Sequence, residues 1–276
     1  MRRKKGMLSK TYLAALLLIM YIPIALVIAY SFNQNRVSSV WSGFSWRWYA
    51  ELFKDRAMWS ALWNSVFLGV AASLSAAVIG ALAATGLSRA KLPGAGVMSY
   101  IAVLPIMIPE IVVGMVSLAF FALLALPFGM LTLVIAHTAM CIPYSFIMVK
   151  ARLEGIDKSY VEAAKDLGAG EWRAFYDITL PLIMPAVVSS ILISFAMSFD
   201  DVIVSVFVTG VSTNTLPIRI YTQMKFGVTP KTNAMCTLLF AATVALVLIS
   251  VAVSRPRNST ARPKKSHADS IANKLQ

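Results

Sequence analysis

Six long apolar stretches, separated by polar intervals, set the pattern of this chain. They run Tyr12–Tyr30, Ala61–Leu87, Val97–Leu124, Leu131–Val149, Pro181–Val208 and Asn233–Val253. A helix that crosses a bilayer needs roughly 20 apolar residues, and each stretch is close to or beyond that length. The pattern predicts an all-α integral membrane protein with six transmembrane helices. Residues 1–11 form a basic N-terminal segment, 12–253 the membrane domain, and 254–276 a basic, polar tail with two prolines. That tail reads as a disordered or lipid-facing extension. A cleaved signal peptide is the rival reading of the first stretch. Against it, the run is longer than a signal core, contains Pro23, and lacks a small-x-small site before Ser31.

One polar interval, residues 150–180, has internal order of its own. Ser159 and Glu162 stand in S-x-x-E spacing, which predicts reciprocal capping of a helix start. Gly168 suits the left-handed residue that ends such a helix, since it has no Cβ to clash. Between them, Ala163 and Ala164 are small enough to let another backbone approach. The interval therefore predicts a short capped helix with an alanine face, available to a partner.

Composition agrees with the membrane assignment. Hydrophobic residues make up 58% of the chain and charged residues 13%, whereas soluble domains average about 25% charged. Cys141 and Cys236 both sit in apolar runs and form no C-x-x-C pair, which suits small packing residues. The net charge is +13. With the N-terminus inside, the inner segments carry 18 Lys and Arg and the two long outer loops carry 7. The positive-inside rule then places both termini and the Glu162 interval in the cytoplasm. The rest of the basic excess favours anionic lipid. Nucleic-acid binding is a poor alternative, because the basic residues are split among helix ends and form no single patch.

Glu162-Ala163-Ala164, then Gly168, then Ile178-Thr179-Leu180-Pro181 after nine residues, resembles the EAA loop of permease subunits in bacterial ABC importers. The resemblance implies the type I permease fold of these importers, also called MetI-like. It further implies that Glu162, Ala163, Ala164, Asp166 and Gly168 form a coupling helix that docks on a cytoplasmic ATPase dimer. Other stretches narrow the likeness. Ser198-Phe199-Asp200-Asp201-Val202-Ile203-Val204-Ser205, Phe207-Val208-Thr209-Gly210, Gly227-Val228-Thr229-Pro230, Tyr30-Ser31-Phe32-Asn33 and Trp41-Ser42-Gly43-Phe44 resemble spermidine/putrescine permeases, most of all the C-type subunit. This implies a second, homologous permease as heterodimer partner, an extracytoplasmic substrate-binding protein, and a bacterial inner-membrane location. A permease for another small organic solute is the alternative that this resemblance leaves open.

The chemistry within the spans rests on three carboxylates. Glu110 follows Pro109 and Pro105 in the third stretch, where each proline removes a backbone donor and loosens the helix. Asp200 and Asp201 lie in the fifth. A charge at such depth costs at least about 2.5–3.5 kcal/mol on insertion scales, so it faces a cavity or a partner. Successive helical positions point about 100° apart, so both aspartates cannot face one pathway. No Lys or Arg stands inside the six stretches to neutralise them, and a transported amine would. The competing reading has them capped by Ser, Asn or water, or protonated. His137, alone in the fourth stretch, reads as a packed, hydrogen-bonded residue. Trp41, Trp46, Trp48, Tyr49 and Trp59 in the first outer loop suit the membrane interface, and that loop would help receive the extracytoplasmic partner.

No G-x-x-x-x-G-K-[ST], H-E-x-x-H or G-x-S-x-G occurs, so the chain is not expected to be an enzyme. No cofactor or metal is expected on it, with ATP and Mg²⁺ bound by the partner ATPase. ATP binding would pull the ATPases together, and the Glu162 helix would convert that motion into tilting of the spans. The carboxylates would then offer weak, sequential sites. A proton-coupled secondary transporter would use the same carboxylates as a relay, but it predicts repeated halves. A structural subunit without a pathway predicts that neutralising all three changes nothing.

Overall fold

Helices follow the apolar stretches, but two of the six expected spans are broken, and the breaks fall at the carboxylates. The computed structural model describes residues 2–36, 40–89, 94–157 and 159–254. The helices, in order, are α1 (Arg2–Ser31), α2 (Arg47–Lys54), α3 (Arg56–Arg89), α4 (Ala95–Val103), α5 (Glu110–Leu123) and α6 (Met130–Glu154). They continue with α7 (Ser159–Asp166), α8 (Glu171–Ala174), α9 (Leu180–Asp200), α10 (Ile203–Val208), α11 (Leu216–Lys225) and α12 (Pro230–Ser254). A 3₁₀ turn, Leu104–Met107, follows α4, and a π turn, Phe175–Thr179, joins α8 to α9. The basic tail from residue 255 onward lies outside the described residues.

Four helical runs among the described residues are long and apolar enough to cross a bilayer: Ser9–Ser31, Arg56–Ser88, Met130–Glu154 and Glu171–Asp200. A fifth is obtained if Ala95–Met107 and Glu110–Leu123, bent by 102°, are taken as one span. The sixth expected stretch falls on α12, part of whose side chains lie outside the described residues. Glu171–Leu180, expected within the loop, instead continues the fifth span backwards as helix.

The centre of the bundle is the trio α3, α6 and α9. Lipid tails are as apolar as leucine, so helices associate in membranes through close packing of small residues and through polar contacts. Both devices are present. On α3, Ala72, Ala76, Ala77 and Ala84 are buried. A Cβ added to Gly80 would lie 2.6 Å from Ser145 Cβ and 2.8 Å from the Phe146 backbone nitrogen. Such overpacking costs about 1–3 kcal/mol or more, since the backbone has nowhere to move. Gly80→Val is therefore expected to lower the thermal stability of the detergent-extracted protein by several degrees. An unchanged melting temperature would contradict this close approach.

The α6–α9 seam is polar. His137, Cys141 and Ser145 recur every four residues on α6 and meet Ser190, Ser194 and Ser198 at the same spacing on α9, all buried. Cys141 Sγ donates to the Ser194 carbonyl at 3.5 Å, and the Ser145 and Ser194 hydroxyls lie 3.4 Å apart. Around the trio, α5 packs on α10 and α1 on α12.

Candidate functional site

The interval that carries the Glu162 motif forms the expected helix, with one change at its start. α7 has no buried residue, and Glu162, Ala163, Asp166 and Gly168 are exposed while Ala164 is half-buried. Its end is a Schellman motif. Gly168 has φ +85°, its N–H reaches the Lys165 carbonyl at 2.8 Å, and the Ala169 N–H reaches that of Ala164 at 3.0 Å. At the start, Ser159 is already helical, and the Asp157 carboxylate accepts its backbone N–H at 2.9 Å. Asp157 thus takes the capping role expected of Ser159. The bonds from the Ser159 N–H and hydroxyl hold the Asp157 carboxyl below the usual carboxylate range. Lys165 pairs with Glu171 and ties α7 to α8. Beneath α7, a cavity of about 700 Å³ opens toward the ends of α3 and α6. α7 is thus a short, exposed helix pinned at both ends.

Glu110 is the first residue of α5, exposed, at the 102° bend. The prolines explain the bend. Ile108, forced out of the helical region by Pro109, has ψ 129°, and no regular helix continues across it. A carboxylate in the first turn also meets the positive end of the α5 dipole.

Asp200 and Asp201, adjacent in the chain, face different surroundings. Asp200 ends α9 and is exposed beside a notch of about 320 Å³ that is also lined by Phe199, Tyr221, Met224 and Leu239. Asp201 is 8% exposed, has extended backbone at φ −65° and ψ 129°, and caps α10. Its Oδ1 accepts the Val204 N–H at 3.2 Å, and its Oδ2 accepts both the N–H and the hydroxyl of Ser205 at 2.8 Å. No proline or glycine marks this break; a side-chain cap makes it. His137 Nε2 lies 3.4 Å from the same Oδ2. Glu110 belongs to a different element from the aspartates, although α5 packs directly on α10.

At the opposite end of the bundle from α7, the aromatic loop is folded. The Asn33 side chain is buried, donates to the Val40 carbonyl and accepts the Ser42 N–H. Trp48 Nε1 donates to the Asn33 carbonyl at 2.6 Å, and the Tyr49 hydroxyl meets Ser31 Oγ at 2.8 Å. Trp48 and Tyr49 are thus core residues here, while Trp41 and Trp46 remain exposed. Asp55 braces this end. It accepts the Met58 N–H, and it pairs with Lys231 at 2.5 Å and Arg219 at 3.8 Å. Burial opposes its ionisation, yet these partners together hold its carboxyl below the usual range. Among the described residues, no three His, Cys, Asp or Glu side chains gather to hold a metal ion.

A bundle of whole and broken spans with an exposed, doubly capped helix between two of them is the permease fold of ABC importers. A chain of a bacterial ABC transporter involved in alginate import superposes with TM-score 0.69 over 92% of this chain and 97% of that one, at 15% identity. A chain of the MetNI methionine ABC transporter gives 0.58 over 75% and 95%, at 16% identity. Residues 76–258 match the binding-protein-dependent transport system inner membrane components, and the chain belongs to that family. It is 41% identical to the spermidine/putrescine transport system permease protein PotC of Haemophilus influenzae, over 87% of this chain and 93% of that protein. Against the putrescine transport system permease protein PotI of Escherichia coli the identity is 37%, over 81% and 82%.

Proposed function

We propose that this chain is a permease subunit of an ATP-driven importer that carries spermidine or putrescine across a bacterial inner membrane. The observation that carries this reading is the 41% identity to a spermidine/putrescine permease across nearly the full length of both proteins. Residues 12–253 form the permease domain, and both termini and α7 lie in the cytoplasm, in keeping with the distribution of Lys and Arg. Glu162, Ala163, Ala164, Asp166 and Gly168 dock on a dimer of ATPase subunits, which bind the ATP and Mg²⁺. A second, homologous permease completes the pathway, and a substrate-binding protein delivers cargo to the outer face. Glu110 and Asp200 supply its negative charge, whereas Asp201, which the sequence placed beside them, is buried as the cap of α10. The notch beside Asp200 suits an alkylamine, with a carboxylate for the ammonium and Phe199, Met224 and Leu239 for the methylenes.

The test is uptake of labelled putrescine and spermidine in a host stripped of its own polyamine importers, expressing this chain with its partner subunits. Restored uptake that survives collapse of the proton gradient while ATP is maintained is the expected result. Uptake that stops with the gradient would point to a secondary transporter. No uptake of either amine would overturn the cargo assignment.

A further inference from the structure

One imidazole bridges the break in the fifth span, and α10 is tied to α6 a second time at its far end, where the Thr132 hydroxyl donates to the Val208 carbonyl at 2.8 Å. Backbone that leaves helical geometry where it is buried must find its partners within the protein, and Val204 and Ser205 are fully buried. The Asp201 carboxylate supplies them for the N–H groups of Val204 and Ser205. His137 comes from α6 and belongs to neither side of the break, yet it touches both. Its Nδ1 lies 2.8 Å from Ser198 Oγ on α9, and its Nε2 lies 2.9 Å from Ser205 Oγ on α10. The ring is fully buried, as are Ser205 and, within 2%, Ser198. One arrangement uses every proton once: the Ser198 hydroxyl donates to Nδ1, Nε2–H donates to Ser205 Oγ, and the Ser205 hydroxyl donates to Asp201.

This bridge governs a direction. Asp200 is the last residue of α9, with Ser198 two positions before it and Asp201 one after. At 100° per residue, even a partial unwinding of the last turn swings the Asp200 carboxylate away from the notch. Pinning both flanks prevents that.

We infer that His137 is a positioning residue for Asp200, holding the end of α9 and the start of α10 in the one arrangement that presents the Asp200 carboxylate to the amine. It acts through Ser198, Ser205 and Asp201 and does not touch the cargo. The inference rests on the reading of Asp200 as an amine contact.

The test uses the full complex in lipid nanodiscs and has two readouts. In a Cys141→Ala, Cys236→Ala background carrying Asp200→Cys, the labelling rate by a cationic methanethiosulfonate reports where residue 200 points. His137→Leu is expected to shift that rate at least about fivefold, and His137→Gln, whose amide can bond both serines, to restore it. With Asp200 intact and the complex in proteoliposomes, His137→Leu should raise the KM for putrescine at least about fivefold while the maximal rate stays within about twofold. A labelling rate and KM equal to those of the unaltered protein would overturn the inference. So would lowered thermal stability with both unchanged, since that is what a merely space-filling ring predicts. If His137→Leu fails to accumulate, Ser198→Ala, which removes one hydroxyl, decides by the same readouts. If the intact complex carries no putrescine, the cargo reading falls, while the labelling comparison still decides the role of His137.

Discussion

Glu162→Arg is expected to lower polyamine uptake at least about tenfold, a loss of roughly 1.4 kcal/mol or more of coupling, while membrane levels stay normal. The argument turns on where the residue stands. Glu162 lies in the first turn of α7, a helix with no buried residue, so its side chain contributes nothing to the bundle's core. Exposed substitutions of this kind change stability by about 0.5 kcal/mol or less, to which reversal against the helix dipole adds about 0.3–1 kcal/mol. The fold absorbs that. A partner groove does not, because a reversed charge at a desolvated contact costs about 2–5 kcal/mol. Uptake and co-purification of the ATPase should therefore fall together, while the second permease remains bound. Full uptake by Glu162→Arg would remove α7 from the coupling mechanism.

α7 was legible in the sequence because its signals are local. Gly168 needs only its own φ, and the Ala163–Ala164 face only helical periodicity. Its start was less so: Asp157 and Ser159 compete for the same cap, and spacing alone does not choose between them. The bend at Glu110 was announced by Pro105 and Pro109, though its 102° angle was not. The break at Asp201 had no such announcement. It depends on a carboxylate that receives three bonds from α10 and on an imidazole 64 residues upstream in sequence, on α6. A lone histidine in an apolar stretch reads as packing. The signal that could have raised it was its place in a row with Cys141 and Ser145, matching Ser190, Ser194 and Ser198 at the same spacing. That row marks a polar seam, and a polar seam in a membrane needs partners.

The two aspartates are expected to separate when each is changed to asparagine. Asp200→Asn removes a charge from an exposed side chain with no folding role in the seam. Stability should be unchanged, and the KM for putrescine should rise about ten- to a hundredfold, the loss of one charge pair worth roughly 1.4–2.7 kcal/mol. Asp201→Asn should act first on the fold. Its amide cannot accept at both positions, so its NH₂ either meets the Ser205 N–H and hydroxyl or loses the Val204 N–H, and a buried donor without a partner costs about 1–3 kcal/mol. Lower thermal stability and lower membrane levels should follow, and the KM of the surviving protein should rise about fivefold, less than in Asp200→Asn, because Asp200 keeps its charge and loses only its hold. Measuring KM and melting temperature side by side decides the matter. A normal KM in Asp200→Asn would take that carboxylate out of the pathway, and an unaltered melting temperature in Asp201→Asn would show that α10 does not depend on its cap.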